Sequence, residues 1–330
     1  MNPGSRTEEL LRRVVQGDRV ALARAITLVE SRKPQDQSDV HDLLVAAAKY
    51  ARTDALRIGV TGPPGVGKST LIDDLGLRFI AAGHRVAVLA IDPSSTRHGG
   101  SILGDKTRMA RLAAEEAAYI RPSPSGGNLG GVARRTREAL LLCEAAGFDR
   151  ILVETVGVGQ SEATVDQLTD LNLLLMIGGA GDGLQGIKRG IMEVADLIAI
   201  NKTDGDNGPR NQRASMDLRQ AIALMPPRDN GHRPSVVLCS ATSGKGMPAL
   251  AAALEELAAR DRANGHLLRR RRAQDQWWMH HAIEAALIEG FYRDPSVQQA
   301  LPGLEDRVRN GLSAPFEAAE QLLRLYRKQA

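Results

Sequence analysis

The hydrophobic rhythm of the chain changes twice. Between residues 7 and 50, apolar side chains recur at three- and four-residue spacing. Leu10, Leu11, Val14 and Val15 come first; Gly17 and Asp18 interrupt, and Val20, Leu22, Ile26 and Val29 continue. This spacing predicts helices. After a polar break at 31–37, a further helix is expected to run to Tyr50 with Ser38 or Asp39 as its cap. From Arg57 short β-rich runs take over, at 57–61, 86–91, 119–121, 150–154, 171–177, 196–200 and 235–239. Helical patterns separate most of them, over 68–82, 105–118, 131–147, 206–225 and 247–260. Apolar strands alternating with helices predict an α/β fold with a mainly parallel sheet flanked by helices. Ligands of such sheets lie beyond the carboxyl ends of the strands.

Past Asp261 the strand signals stop. A long helix is expected through Tyr292, with Met279, Ile283, Ala286, Leu287 and Gly290 or Phe291 repeating on one side, and a second helix over roughly 303–328. The organisation is therefore an N-terminal helical extension (1–55), a central α/β domain (56–260) and a C-terminal helical arm (261–330). Two helices bury little by themselves, so the apolar stripe of the arm predicts a homodimer. The run Arg269–Arg272 reads as a solvated helix face.

Composition narrows the setting. Against 39 acidic residues the 330-residue chain carries 43 Lys and Arg, a net charge of +4, too small an excess to predict a nucleic-acid partner. The longest segment without a charged residue, Pro122–Ala133, has twelve residues rich in Gly, Pro and Ser. A spanning helix needs about 20 apolar residues, so no membrane association is expected. The start, MNPGSRTEELLRR, has no apolar core of a secretory signal. Cys143 and Cys239 cannot build a disulfide framework and read as buried thiols. A cytoplasmic location is the expectation.

The chemistry begins at the end of the first strand. Gly62-Pro63-Pro64-Gly65-Val66-Gly67-Lys68-Ser69 has the spacing G-x-x-x-x-G-K-S/T between a strand and a helix, with Thr70 behind it. Glycines let successive N–H groups curl around a phosphate, and the helix N-terminus adds its positive end. Lys68 is expected on the β- and γ-phosphates and Ser69 on Mg²⁺. The fold class is thus a P-loop NTPase with helical extensions at both ends.

Asn201-Lys202-Thr203-Asp204 follows a later strand. A carboxylate at Asp204 can accept both the N1–H and the N2 amine of guanine; adenine presents neither, and the carboxylate would be left unpaired. Asn201 is expected to tie loops together and the Lys202 stem to cover the base. The next strand ends in Ser240-Ala241-Thr242, an S-A-x element expected to meet the guanine O6 through backbone N–H. The three motifs occur in order on successive strand ends and point to GTP as substrate.

For the metal, Glu154-Thr155-Val156-Gly157 looks like a D-x-x-G element with Glu in the acidic position, placing Glu154 near Mg²⁺ and the Gly157 N–H near the γ-phosphate. Asp92 and Asp105 are further Mg²⁺ candidates, with a turn at Asp92-Pro93 and a helix cap at Asp105 as the structural alternatives. Val158 stands where Ras-like proteins carry the water-orienting glutamine, and Gln160 lies two residues on. Slow hydrolysis that depends on a partner or on loop ordering is the expectation. The glycine-rich stretch Gly178–Lys188 reads as a flexible connection or as a nucleotide-responsive loop bringing Lys188 to the catalytic groups.

Together GVTGPPGVGKSTLID, AIDPSSTRHGGSILGDKTRM, VETVGVGQSE and NKTD resemble the MeaB/ArgK family, the GTPase chaperones of methylmalonyl-CoA mutase, most strongly over residues ~56 to 260. The resemblance implies a homodimeric GTPase that binds an adenosylcobalamin-dependent acyl-CoA mutase, gates its cofactor loading, and protects or reactivates it. A cobalamin adenosyltransferase is a further implied partner. Two competing functions are a metal-insertion GTPase, which would need Cys/His clusters where this chain has only His280-His281 adjacent, and a P-loop phosphotransferase, which would leave N-K-T-D unexplained.

Overall fold

In the computed structural model, residues 3–31, 33–91, 108–122, 129–155, 161–178 and 189–327 are described. The chain forms two compact units, Met1–Arg271 and Arg272–Ala330.

The first unit is built on a seven-stranded sheet: β1 (Leu56–Thr61), β2 (Val86–Ile91), β3 (Ala118–Arg121), β4 (Arg150–Thr155), β5 (Leu171–Ile177), β6 (Leu197–Asn201) and β7 (Ser235–Leu238). Its order is β3-β2-β4-β1-β5-β6-β7 and every pairing is parallel. The strands read as nearly unbroken apolar runs because both faces of the sheet are covered. One core joins α4 (Lys68–Ala81) and α10 (Met247–Ala263) to the sheet through Leu71, Ile72, Leu75, Leu250 and Leu254. Another joins β5 and β6 to α9 (Gly208–Ala223) through Leu218 and Ile222. The neighbours of β1 are β4 on one side and β5 on the other, and Val60 stands opposite Glu154.

At the N-terminus α1 (Pro3–Val15), α2 (Arg19–Val29) and α3 (Gln37–Ala47) pack on one another and on α6 (Leu129–Ala145). Asp18 does more than interrupt: its carboxylate accepts the Val20 and Ala21 N–H groups at 2.8 and 3.0 Å and caps α2. The restart resets the helical phase, so Val20 leaves the apolar stripe and is exposed. The cap expected at Ser38 or Asp39 is corrected as well. α3 starts at Gln37 behind a short 3₁₀ turn over Pro34–Asp36, and Asp36 takes the Ser31 hydroxyl instead of capping.

Of the helix expected over 105–118, residues 105–107 lie outside the described residues; beyond Arg108 only the single turn α5 (Ala110–Ala113) is helical, and Ala118 already belongs to β3. Asp73 of α4 accepts the Leu112 N–H at 2.8 Å, and the chain must then turn to pair Ala118 with Val86. Among the described residues, two further helices, α7 (Ser161–Asp166) and α8 (Arg189–Val194), contact each other.

The arginine run is also corrected. In its first turns α11 (His266–Arg293) largely buries two of the four guanidiniums of this run. Arg270 donates to Asp166 Oδ1 at 2.7 Å and to the Thr169 carbonyl at 3.0 Å. Arg271 grips both oxygens of Asp170, at 2.7 and 2.6 Å. Their partners lie about 100 positions away in the chain, and no local pattern exposes them.

In the second unit, α12 (Pro295–Arg309) and α13 (Pro315–Arg327) replace the single helix expected over 303–328. Gly311 adopts φ +69°, ending α12 in a left-handed turn, and Pro315 opens the next helix. Val297, Leu304, Ala318 and Leu322 form its small core, with Phe291 and Tyr326 against it. Met279, Ile283 and Leu287 of α11 are more than half exposed or nearly so, at 53%, 50% and 61%. Trp277 stacks on His281 with ring centroids 4.7 Å apart.

Candidate nucleotide site

The loop between β1 and α4 owes its shape to three glycines with positive φ: Gly62 at +146°, Gly65 at +76° and Gly67 at +95°. A side chain at Gly62 would put its Cβ 2.4 Å from the Leu175 carbonyl of β5, so the loop passes close against the neighbouring strand. Pro63, Pro64 and Gly65 are exposed, whereas Val66 is buried beneath them. Lys68 opens α4, with Thr70 in the same first turn. Its Nζ donates to the Gly62 carbonyl at 2.8 Å and the Pro63 carbonyl at 3.1 Å, spanning the loop from beneath. Burial lowers its pKa from the ordinary lysine value, and the nearby Glu154 carboxylate opposes that shift.

Ser69 Oγ donates to Glu154 Oε1 at 2.9 Å. The β1–β4 pairing, Val60 opposite Glu154, brings the end of β4 to the loop. A hydroxyl and a carboxylate converging beside a phosphate loop are hard oxygen donors of the kind Mg²⁺ prefers, and the pair fits that ion. The adjacent Thr155 hydroxyl is buried without a hydrogen-bond partner among the described residues. Gly157, Gln160, Lys188, Asp92 and Asp105 lie outside the described residues.

The N-K-T-D and S-A-T turns meet this loop through side chains. Asn201 is buried; its Nδ2 donates to the Val66 carbonyl at 2.9 Å, and its Oδ1 accepts the Ala241 N–H at 3.1 Å. One amide thus joins three loops. Lys202 donates through Nζ to the Gly65 carbonyl at 3.0 Å, laying its stem between the two motifs. Ser240 Oγ donates to Asp204 Oδ2 at 2.8 Å and orients that carboxylate. The buried Ala241 N–H is engaged by Asn201, so it is not the donor left over for a base oxygen; Thr242, next in the same turn, is exposed.

Sequence reasoning passed over Asn211, which is buried on α9 and bonded to the backbone of the N-K-T-D turn. Its signal was there: Asn211, Ser215, Leu218 and Ile222 share one buried face, and a polar amide at the head of such a stripe needs partners. Cys143 and Cys239 are buried thiols, and burial pushes Cys239 up to about 12.

Residues 22–296 match the family model for the methylmalonyl Co-A mutase-associated GTPase MeaB. A Caulobacter vibrioides relative is 49% identical over 323 residues, 98% of each chain. The GTPase ArgK of Escherichia coli is 44% identical over 314 residues, 95% of each chain. A solved structure described as a LAO/AO transport system kinase superposes with a TM-score of 0.74 at 36% identity, covering 98% of both chains. With its P-loop and parallel sheet, the chain belongs to the MeaB family of methylmalonyl Co-A mutase-associated GTPases and is a GTPase.

Proposed function

We propose that the protein is a GTP-hydrolysing chaperone of an adenosylcobalamin-dependent acyl-CoA mutase, methylmalonyl-CoA mutase first among them. It would gate cofactor loading and protect or reactivate the mutase. The family description supports the partner. The observation that carries the switching part is Asn201, whose amide touches both the phosphate loop and the S-A-T turn. A change at the phosphates therefore reaches the base loops through one side chain.

In this reading Gly62–Ser69 and Thr70 cradle the phosphates, and Asp204, oriented by Ser240, reads guanine beside Asn201, Lys202, Ala241 and Thr242. Ser69 and Glu154, with Asp92 and Asp105, would hold Mg²⁺, which when bound neutralises charge developing on the phosphate oxygens. Lys68 stands ready to exchange two carbonyls for phosphate oxygens. Gly157 is assigned to the γ-phosphate, Gln160 to the attacking water and Lys188 to the glycine-rich loop that would respond to the partner. The protein would be a cytoplasmic homodimer joined through the α11 stripe, with a cobalamin adenosyltransferase as a second candidate partner. Among the described residues no helix is long and apolar enough to cross a membrane.

The test is GTP hydrolysis by the purified protein with Mg²⁺, alone and with methylmalonyl-CoA mutase, using ATP as control. Slow GTP turnover that rises with the mutase, with ATP inert, is expected. GTP turnover indifferent to the mutase would remove the chaperone reading.

A further inference from the structure

α9 turns Asn211 inward with no exposed surface. Its Nδ2 donates to two successive carbonyls, Asn201 at 3.2 Å and Lys202 at 3.0 Å. These open the N-K-T-D turn, where Lys202 has φ 59°, the one positive φ outside glycine among the described residues. A lysine rarely takes this left-handed conformation, and it persists only where neighbours over-determine it. The Asn211 amide does so by placing a donor on each side of the Lys202 residue, one on the carbonyl before it and one on its own.

The opposite side of Asn211 meets Gly178, at the end of β5. A Cβ on Gly178 would lie 2.1 Å from Asn211 Oδ1 and 2.7 Å from Asn211 Cα. The Oδ1 accepts no hydrogen bond among the described residues. An amide buried with its acceptor idle and its donors fully used is placed for the donors.

We infer that Asn211 is a positioning residue for base selection. It sets the backbone of Asn201 and Lys202, so that Asn201 spans Val66 and Ala241 and Asp204 arrives, two residues later, against Ser240. It touches no nucleotide itself; it acts through the turn. Asn→Asp keeps the shape but replaces both donors by acceptors facing two carbonyls. Asn→Leu keeps the volume without donors. The inference rests on the guanine reading of Asp204.

The experiment measures dissociation constants for GDP and ADP on the full-length wild type and on Asn211→Asp, Asn211→Leu and Leu218→Ala. Leu218 lies on the same buried face of α9 but bonds nothing in the turn. The Asn211 variants are expected to weaken GDP binding at least tenfold and ADP binding less than threefold, narrowing the preference. Leu218→Ala is expected to lower the thermal midpoint and leave the preference intact, which separates positioning from stability. Gly178→Ala, whose methyl must push the Asn211 amide, is expected to narrow the preference too and serves if neither Asn211 variant folds. Folded variants with the wild-type GDP-to-ADP ratio would overturn the inference while the guanine site stands. A wild type that binds both nucleotides alike would instead overturn the guanine reading, and this inference with it.

Discussion

Ser69 at the start of α4 and Glu154 at the end of β4 share a hydrogen bond of 2.9 Å, hydroxyl to carboxylate, and their residues come from elements 85 positions apart. The register that sets Val60 against Glu154 makes this contact a property of the sheet, not of either segment. Because both groups face the phosphate loop, Glu154→Gln should weaken the metal site and leave the loop in place. GTP turnover at fixed Mg²⁺ is expected to fall by about 10–100-fold, as for other lost metal-site contacts, and to recover in part as Mg²⁺ is raised. A Mg²⁺ titration curve superimposable on that of the wild type would remove Glu154 from the metal site.

Ser240 holds one oxygen of Asp204, leaving the carboxylate aimed by a neighbour already in place. Asp204→Asn exchanges an acceptor for a donor. GDP affinity should drop by at least about 100-fold, since a site built to bond a polar edge rejects its mismatch strongly. Xanthine, which has a carbonyl where guanine has the N2 amine, suits the new amide. Competition between GDP and XDP for the variant reads this directly, and an undiminished preference for GDP would place the base elsewhere.

Gly62 has no room for a methyl group, which would sit 2.4 Å from the Leu175 carbonyl. Gly62→Ala is expected to cost about 1–3 kcal/mol, the range for overpacking, and to displace the loop that Lys68 spans. Thermal denaturation and a GDP titration on the same preparation should show both losses. Normal GDP affinity in a folded variant would mean that the loop does not bind phosphate.

Arg271 and Asp170 form a buried pair at the root of α11. Burial alone would raise the Asp170 pKa, but the hydrogen bonds and charge of Arg271, with Arg57 nearby, hold it below the ordinary carboxylate value. A depressed pKa stabilises the fold at pH above the unfolded value of about 4 and ceases to do so as pH falls through the folded value. Arg271→Ala should therefore cost about 3–5 kcal/mol at neutral pH, the range for an orphaned buried charge. The deficit should shrink as pH falls below the unfolded carboxylate value of about 4 and Asp170 takes up its proton. Urea denaturation of both proteins across that window tests the sign; a deficit that grows on acidification would refute it.

Met279, Ile283 and Leu287 expose one apolar stripe along α11. Ile283→Glu in the proposed dimer would bury a carboxylate among apolar side chains, and sedimentation should show a monomer. A variant that sediments as the wild type does would move the dimer contact elsewhere.

The alternation of apolar strands and helices made the parallel α/β architecture legible, because strand and helix periodicity is a local property. The helical ends were legible for the same reason, although their boundaries moved where a neighbour intervened. Asp36 spends its carboxylate on Ser31, and Gly311 divides what periodicity ran together. Composition suggested a solvated arginine face; the fold instead supplies Asp166 and Asp170 to neutralise Arg270 and Arg271.

By itself the sequence determined the order of the phosphate, metal and base motifs and their place after strands, because each motif is a short run whose spacing carries its chemistry. Only the tertiary structure decided how they meet. β1 lies between β4 and β5, so one loop reaches Glu154 on one side and Leu175 on the other. Asn201, Ser240 and Asn211 gained their roles from partners 9 to 135 positions away. Hydrogen bonds act over about 3 Å in space and are blind to distance along the chain. A linear pattern names the groups that can bond, and the packing of strands and helices selects the pairs that do.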